Sequence, residues 1–480
     1  VHRLSGEDAG FLYMDLPGQP MNTMAVGVLA PTDDPPLTRA DLRRHLEDRL
    51  PQLPSFRWRV VPVPLRLHHP VAVDDPDVDL DFHLRTERVA APGGQREVNA
   101  LFARIAERHL DRRHPLWQAT LVDGLEGGRQ AVILKYQHCL ADGVAAYTTF
   151  SRVFSDAPRE PIPGVAPFAP TRLPRRARLV AGALADHARA AARLPKLAAT
   201  TKARTDAVKT RRAETTVDVP DFSGQAPRCV LNDAFTPGRA YARAALPLAG
   251  LKAVKDAAGV TLNDAVLAVM AGACRRYLEV HGGVPDRPLL TSVPVSDEPA
   301  DAPVRQAGNR FWSFTTTLAT DVDDAWERLQ VISTVTREAK EQLTLLGTGL
   351  MPAWLDVVPP LVAQPGAKAL VHRLQTATDL VDANILISNI KGPDQPWELL
   401  GRRVEDLYVD GPPSNGVGCN VMVWSYGDRM LFGVLSFADA LRDPDLLTQS
   451  ITDAFDELHA LARRHRAAVP VSAGTATPTP

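Results

Sequence analysis

Cysteine is scarce: four residues in 480, Cys139, Cys229, Cys274 and Cys419, scattered without pairing or metal-ligand spacing. That leaves out a disulfide framework and a thiolate metal site, and suits a reducing cytoplasm. No run of about 18 uninterrupted apolar residues is present, so no membrane span is expected. The first residues lack the charged-then-apolar order of a signal peptide. Neither sign of charge is in excess: 54 Lys and Arg face 56 Asp and Glu, a net charge of −2. This balance gives no general pull toward nucleic acid. What remains is the composition of a globular protein, 45% hydrophobic and 23% charged, in a chain too long for one ordinary core. Two domains are expected.

The chain is organised around Lys135 to Tyr147, which reads K-Y-Q-H-C-L-A-D-G-V-A-A-Y. The apolar run Ala131 to Leu134 is a strand that delivers His138 to its own end, where a loop passes into a small-residue helix. A neutral imidazole there can serve as a general base. Asp142 is expected to pair with an arginine elsewhere and fix the loop, and Gly143 to let the backbone turn before the helix. Cys139, adjacent on the strand, points to the opposite face and is not expected to act as a nucleophile with His138.

In chain order, Thr38 and Asp41 form a capping box for a helix with Leu42, Leu46 and Leu50 on one face. Short strands are expected near Trp58 to Val63, and a helix over Glu97 to Leu110. A hairpin of strands Trp117 to Val122 and Gln130 to His138 presents the central loop. From Thr171 to Ala213, twelve Arg and Lys residues face only Asp186 and Asp206. Helices crossing between domains fit this stretch, either as a solvated linker or lying on an anionic membrane surface. A second capping box, Thr261 to Asp264, opens a helix whose Ala265, Ala268, Ala271, Gly272 and Ala273 leave room for another backbone or for a ligand. Strands are expected at Ala240 to Leu246, Leu289 to Val295, Phe311 to Leu318, Asn384 to Ser388, Cys419 to Ser425 and Met430 to Phe437. Leu345 to Leu374, apolar but broken by Gly and Pro, reads as a mobile cover over a lipid site or as buried short helices. Asp443 and Pro444 start a last helix. The tail from Ala467 to Pro480 has a disordered composition.

The chain resembles the bacterial wax ester synthase/diacylglycerol acyltransferase family over roughly Leu4 to Arg466. The family's His-His-x-x-x-Asp-Gly motif stands as Gln137-His138-Cys139-Leu140-Ala141-Asp142-Gly143. The opening Leu4-Ser5-Gly6-Glu7-Asp8-Ala9-Gly10-Phe11-Leu12, the Pro115-Leu116-Trp117 motif, Asn263-Asp264, and Ser388-Asn389-Ile390-Lys391-Gly392-Pro393 follow in the family's order, with Gly308-Asn309-Arg310 and Ser425-Tyr426 as weaker matches. The resemblance implies an α/β, two-domain fold like that of chloramphenicol acetyltransferase, each half a mixed sheet flanked by helices. The halves would be residues 1–170 and 216–466, joined by a basic crossover at 171–215. It further implies an active site between the halves. There His138 would assist transfer of a long acyl chain from acyl-CoA, a substrate and not a resident cofactor, to a fatty alcohol or diacylglycerol. No metal is implied.

Gln137 replaces the first His of the family pair. Related acyltransferases keep only the residue matching His138, which is their base. Direct attack of an acceptor hydroxyl on the thioester then needs an oxyanion donor. Asn263 is the first candidate, with a role alongside Asp264 in tying the domains as the alternative. Asn389 is the second, or else an ordinary turn residue. Two other functions stay open: a relative using a carrier-bound donor or another acceptor, and a lipid-binding relative without turnover. Peripheral contact with an anionic membrane or lipid droplet, on the cytoplasmic side, completes the expectations.

Overall fold

Thr38 and Thr261 do start helices, each exchanging bonds with the aspartate three residues on, and Ser5 does the same with Asp8. The computed structural model describes residues 1–157, 173–221, 225–232, 236–296, 298, 305–376, 380–414 and 416–468. Its first half contains α1 (Gly6–Met14), β1 (Asn22–Leu29), β2 (Leu84–Arg88), α2 (Gln95–Ala106), β3 (Trp117–Asp123), β4 (Gln130–Gln137) and α3 (Gly143–Val153). A single helix, α4 (Arg176–Glu214), follows. The second half contains β5 (Arg239–Pro247), α5 (Leu262–Val280), β6 (Leu290–Ser296), β7 (Phe311–Thr317), α6 (Ala325–Leu346), α7 (Leu350–Val357), α8 (Pro360–Thr376) and β8 (Ile385–Ile390). It continues with β9 (Glu398–Leu399), β10 (Arg402–Asp410), β11 (Cys419–Tyr426), β12 (Arg429–Phe437) and α9 (Pro444–Ala468).

Two six-stranded mixed sheets result, ordered β9-β10-β1-β4-β3-β2 and β7-β6-β8-β11-β12-β5. The first sheet is therefore completed from the far end of the chain: β10 lies antiparallel on β1, with Tyr408 opposite Val26. All eight residues of β1 and of β4 are buried, as strands covered on both faces must be. The second core gathers Val266, Met270, Phe314, Val421, Phe432, Ile451 and their neighbours.

Three sequence expectations are corrected or resolved here. The basic stretch forms one helix of 39 residues, not several, and runs through Pro195 on its exposed face. Its side chains pair with residues both before and after it in the chain: Asp186 with Arg3 at 2.8 Å, and Arg211 with Glu338 at 2.6 Å. The small residues of α5 serve packing, since a Cβ on Gly272 would stand 2.8 Å from the Ala454 methyl of α9. The apolar stretch before β8 forms α7 and α8 over α1, and these are only partly buried: Leu350 and Val371 are covered, while Met351, Leu355, Leu361, Val362 and Leu370 are exposed. The proposed boundary at 170 and the tail beyond 468 lie outside the described residues.

Candidate active site

β4 ends at Gln137, and the 3-10 turn His138–Leu140 sets His138 beside a cavity of about 410 Å³ between the two sheets. Met14, Met21, Phe311, Leu386, Ile390 and Met422 give this cavity a largely apolar wall. Phe11 of α1 stacks on the imidazole with ring centres 4.0 Å apart.

The imidazole is held from behind. Asn309 donates through Nδ2 to Asp8 Oδ1 at 2.8 Å and to the His138 carbonyl at 2.9 Å. Both partners only accept, so the amide oxygen must be the atom 3.0 Å from His138 Nδ1. Nδ1 therefore carries the proton, and Nε2 is left with a lone pair. Burial holds the imidazole below its ordinary pKa of 6.5, outweighing the opposing pull of Asp142 and Asn309. The ring is neutral at pH 7, with one nitrogen able to accept a proton. Asp8 also receives the Asn309 backbone N–H at 2.7 Å, and burial raises its pKa despite these bonds.

Asp142 makes no approach to the reaction as a free carboxylate, because its oxygens are spoken for. They cap α3 at Val144 and Ala145, accept the Arg310 N–H at 2.7 Å, and take Arg305 Nη2 at 2.7 and 2.6 Å. Arg305 is the arginine that the sequence could only anticipate. Backbone bonds from Gly308 to Leu140, 2.6 Å, and from Asp142 to Gly308, 3.2 Å, stitch the same loop to the second half. Gly143 is first in α3, and its φ is not in the left-handed region. Space, not a turn, requires it: a Cβ would meet Ile390 Cδ1 at 2.3 Å.

The other motif residues divide between wall and frame. Ser388 and Asn389 line the cavity. Gly392 allows close contact, since a Cβ there would lie 1.9 Å from the Ser425 carbonyl oxygen, and Pro393 accepts from Gly427 N–H. Gln137 is buried, receiving Cys139 N–H at 2.5 Å and donating to the Phe11 carbonyl at 3.2 Å. It thus braces the turn and α1 from behind. Pro115, Leu116 and Trp117 are also frame: the Leu116 carbonyl takes Gln137 N–H, and the Trp117 indole stacks on Phe56 while donating to its carbonyl at 2.8 Å. Cys139 is fully buried and its thiol is pushed well up, which removes it as a nucleophile. Asn263 and Asp264 are not brought to the cavity. Asp264 accepts the Thr261 N–H and the Ser333 hydroxyl, the latter at 3.1 Å, both within the second half, and neither Asn263 nor Asp264 lines the cavity. Among the described residues no cluster of His, Cys, Asp or Glu could hold a metal ion.

Asp8, Asn309 and Arg305 were not singled out as site residues by sequence reasoning. The signal for two of them lay in the motifs that open the chain and stand at 308–310.

A family model for the wax ester synthase/diacylglycerol acyltransferase catalytic domain matches residues 4–266, and one for the C-terminal domain matches 307–459. The chain belongs to this family. A Mycobacterium tuberculosis protein named provisionally as a diacylglycerol O-acyltransferase is 35% identical over 466 residues, 96% of this chain and 97% of that protein. Another from the same organism, similarly named, is 34% identical over 469 residues, 96% and 98% of the two chains. The wax ester synthase/diacylglycerol acyltransferase of Marinobacter aquaeolei VT8 superposes with a TM-score of 0.66 at 25% identity, covering 96% of this chain and 100% of that one. The first condensation domain of the calcium-dependent antibiotic synthetase shares the fold, with a TM-score of 0.56 at 16% identity over 96% and 97% of the chains. The protein is thus an acyltransferase of the wax ester synthase/diacylglycerol acyltransferase family, with the two-domain chloramphenicol acetyltransferase-like fold.

Proposed function

We propose that this acyltransferase moves a long acyl group from acyl-CoA to the hydroxyl of a fatty alcohol or diacylglycerol, with His138 as general base. The observation that carries the reading is the Asp8–Asn309–His138 chain, which leaves a neutral imidazole with a bare Nε2 at an apolar cavity. Nε2 takes the acceptor's proton as its oxygen attacks the thioester carbonyl. The C–S bond then breaks, and the proton passes to the departing thiolate, giving ester and free CoA. The Asn389 amide, on the cavity wall, is our candidate donor to the oxyanion. Losing such a donor costs about 2.7 to 4 kcal/mol of barrier. The cavity wall suits an aliphatic chain, since each buried methylene contributes roughly 0.8 kcal/mol. Acyl-CoA as donor is also in keeping with a starter condensation domain of this fold whose structure was solved with C8-CoA.

No single helix among the described residues is long and apolar enough to cross a membrane. We propose peripheral contact with an anionic lipid surface at its cytoplasmic face. The exposed Leu184 and Leu194 beside Arg189 and Arg193 on α4 support this.

The test is CoA release from palmitoyl-CoA with hexadecanol or diacylglycerol in turn, alongside His138→Ala. Acceptor-dependent release that vanishes in the variant is expected, and the better acceptor names the product. Equal release with and without either acceptor would remove the ester-forming reading.

A further inference from the structure

A second cavity, about 800 Å³, opens between the N-terminal residues His2 to Ser5, helix α4 and helix α7, and shares no lining residue with the first. Its size lies within the range of small-molecule sites. Five cations border it, Arg3, Arg189, Arg193, Lys196 and Arg204, against Asp186 and Asp356. Both carboxylates are already engaged: Asp186 by Arg3 at 2.8 Å and Arg189 at 2.6 Å, Asp356 by the Gly6 N–H at 2.6 Å. Arg193 and Lys196 meet no acceptor among the described residues. His68 and His69 add no positive charge, because burial lowers the pKa of both, His68 to about 4. The remaining excess of three positive charges sits over an apolar floor of Leu4, Leu197, Leu350 and Val357.

A cationic rim above an apolar floor matches a ligand that is anionic at one end and apolar or aromatic at the other. Guanidinium groups favour phosphate oxygens in particular, which they can engage in pairs. We propose that this cleft binds a phosphate ester, held by Arg189, Arg193, Lys196 and Arg204. The two sources of that chemistry are the nucleotide end of a CoA thioester and the headgroup of an anionic phospholipid. The site stands apart from the reaction assigned to His138, but it is joined to it mechanically. Asp356 of α7 grips the first residue of α1, and α1 carries Phe11 to the imidazole and Asp8 to Asn309.

Binding to the full chain tests this without any turnover. The probes are adenosine 3′,5′-bisphosphate in titration calorimetry, and phosphatidylglycerol vesicles, with phosphatidylcholine vesicles for comparison, in flotation. The variant is Arg193→Glu with Lys196→Glu, and Lys202→Glu with Lys209→Glu is the control on the same helix outside the cleft. Melting temperatures verify folding, and Arg193→Lys with Lys196→Arg keeps the charge. A tenfold or greater loss of bisphosphate binding in the cleft variant alone assigns the nucleotide end. The same loss confined to phosphatidylglycerol assigns the lipid headgroup. The proposal is overturned if neither probe binds, if the cleft and control variants lose binding equally, or if the charge-keeping variant loses as much as the reversal. Failure of the His138 chemistry would leave all of these binding results unchanged.

Discussion

Asn309 is the residue whose side chain decides what His138 can do. During proton transfer the imidazole becomes cationic, so its bond to the Asn309 carbonyl oxygen strengthens as the barrier is climbed. Such charge-assisted bonds contribute about 1.5 to 3 kcal/mol. Asn309→Ala should therefore lower kcat roughly 10- to 100-fold with little change in KM for the acyl donor. The pH profile separates this from a folding defect. Because burial lowers the His138 pKa, the acid limb of kcat/KM should lie below 6.5, and losing the Asn309 bond, which raises that pKa, should move the limb lower still. A limb that stays in place in Asn309→Ala would count against the positioning role. Gly143 gives a second residue-scale outcome. Ile390 can clear an added Cβ only by turning its tip, and that tip is itself part of the cavity wall. Gly143→Ala should cost about 1 to 3 kcal/mol of stability in urea unfolding, and Ile390→Ala in the same chain should restore most of it.

Between the elements, the loop after β4 is held by charge. Asp142 and Arg305 are both largely shielded, with side chains 6% and 19% exposed. Removing one partner of a buried pair leaves the other uncompensated, so Arg305→Ala should destabilise by about 3 to 5 kcal/mol. Arg305→Ala with Asp142→Asn should cost less than the two single changes summed, a double-mutant cycle that denaturation midpoints can close, with Glu298, which also meets Arg305 at 2.5 Å, left unpaired in both Arg305 variants. The strand, loop and helix around this pair were legible because each has a local signature: an apolar run, His138 at its end, Asp142 in the N-cap position. Arg305 and Asn309 were not, because they reach the loop from 163 and 171 residues away, and periodicity carries no information about such pairings. Asn263 stands at a helix start, as its local sequence indicates, but nothing local says which way that helix faces, and it does not line the cavity. At the start of α1, burial raises Glu7 from 4.5 to about 7, while its carboxylate accepts the Phe311 N–H at 3.3 Å. The folded state then holds the proton more tightly than the unfolded one. Glu7's contribution is fully present below pH 4.5 and is lost as pH rises to about 7. Glu7→Gln should match the wild type in thermal melts at pH 4 and exceed it at pH 8, by up to about 3 kcal/mol. A constant difference across that window would show that Glu7 ionises freely.

At the scale of the molecule, the two halves are not separable in the way that two consecutive cores would be. The family likeness anticipated paired α/β units around a central site, and two six-stranded sheets are present. The pattern of strands along the chain did not reveal that β9 and β10 leave the second unit to complete the first sheet, since a strand's own sequence does not name its neighbour. The exchange has a physical consequence. Without β10, the wholly buried β1 would present a long unpaired apolar edge, the arrangement that invites aggregation. A fragment of residues 1–215 expressed alone should therefore be insoluble or associate into large species on gel filtration. Co-expression with residues 216–480 should bring it back into solution as a complex, because β10 then regains its place beside β1. A fragment 1–215 that runs alone as a folded monomer would mean that β10 is dispensable to the first core. The same exchange would then no longer explain how the halves keep Asn309 in register with His138, leaving that task to the Arg305 clamp and the loop bonds at Gly308.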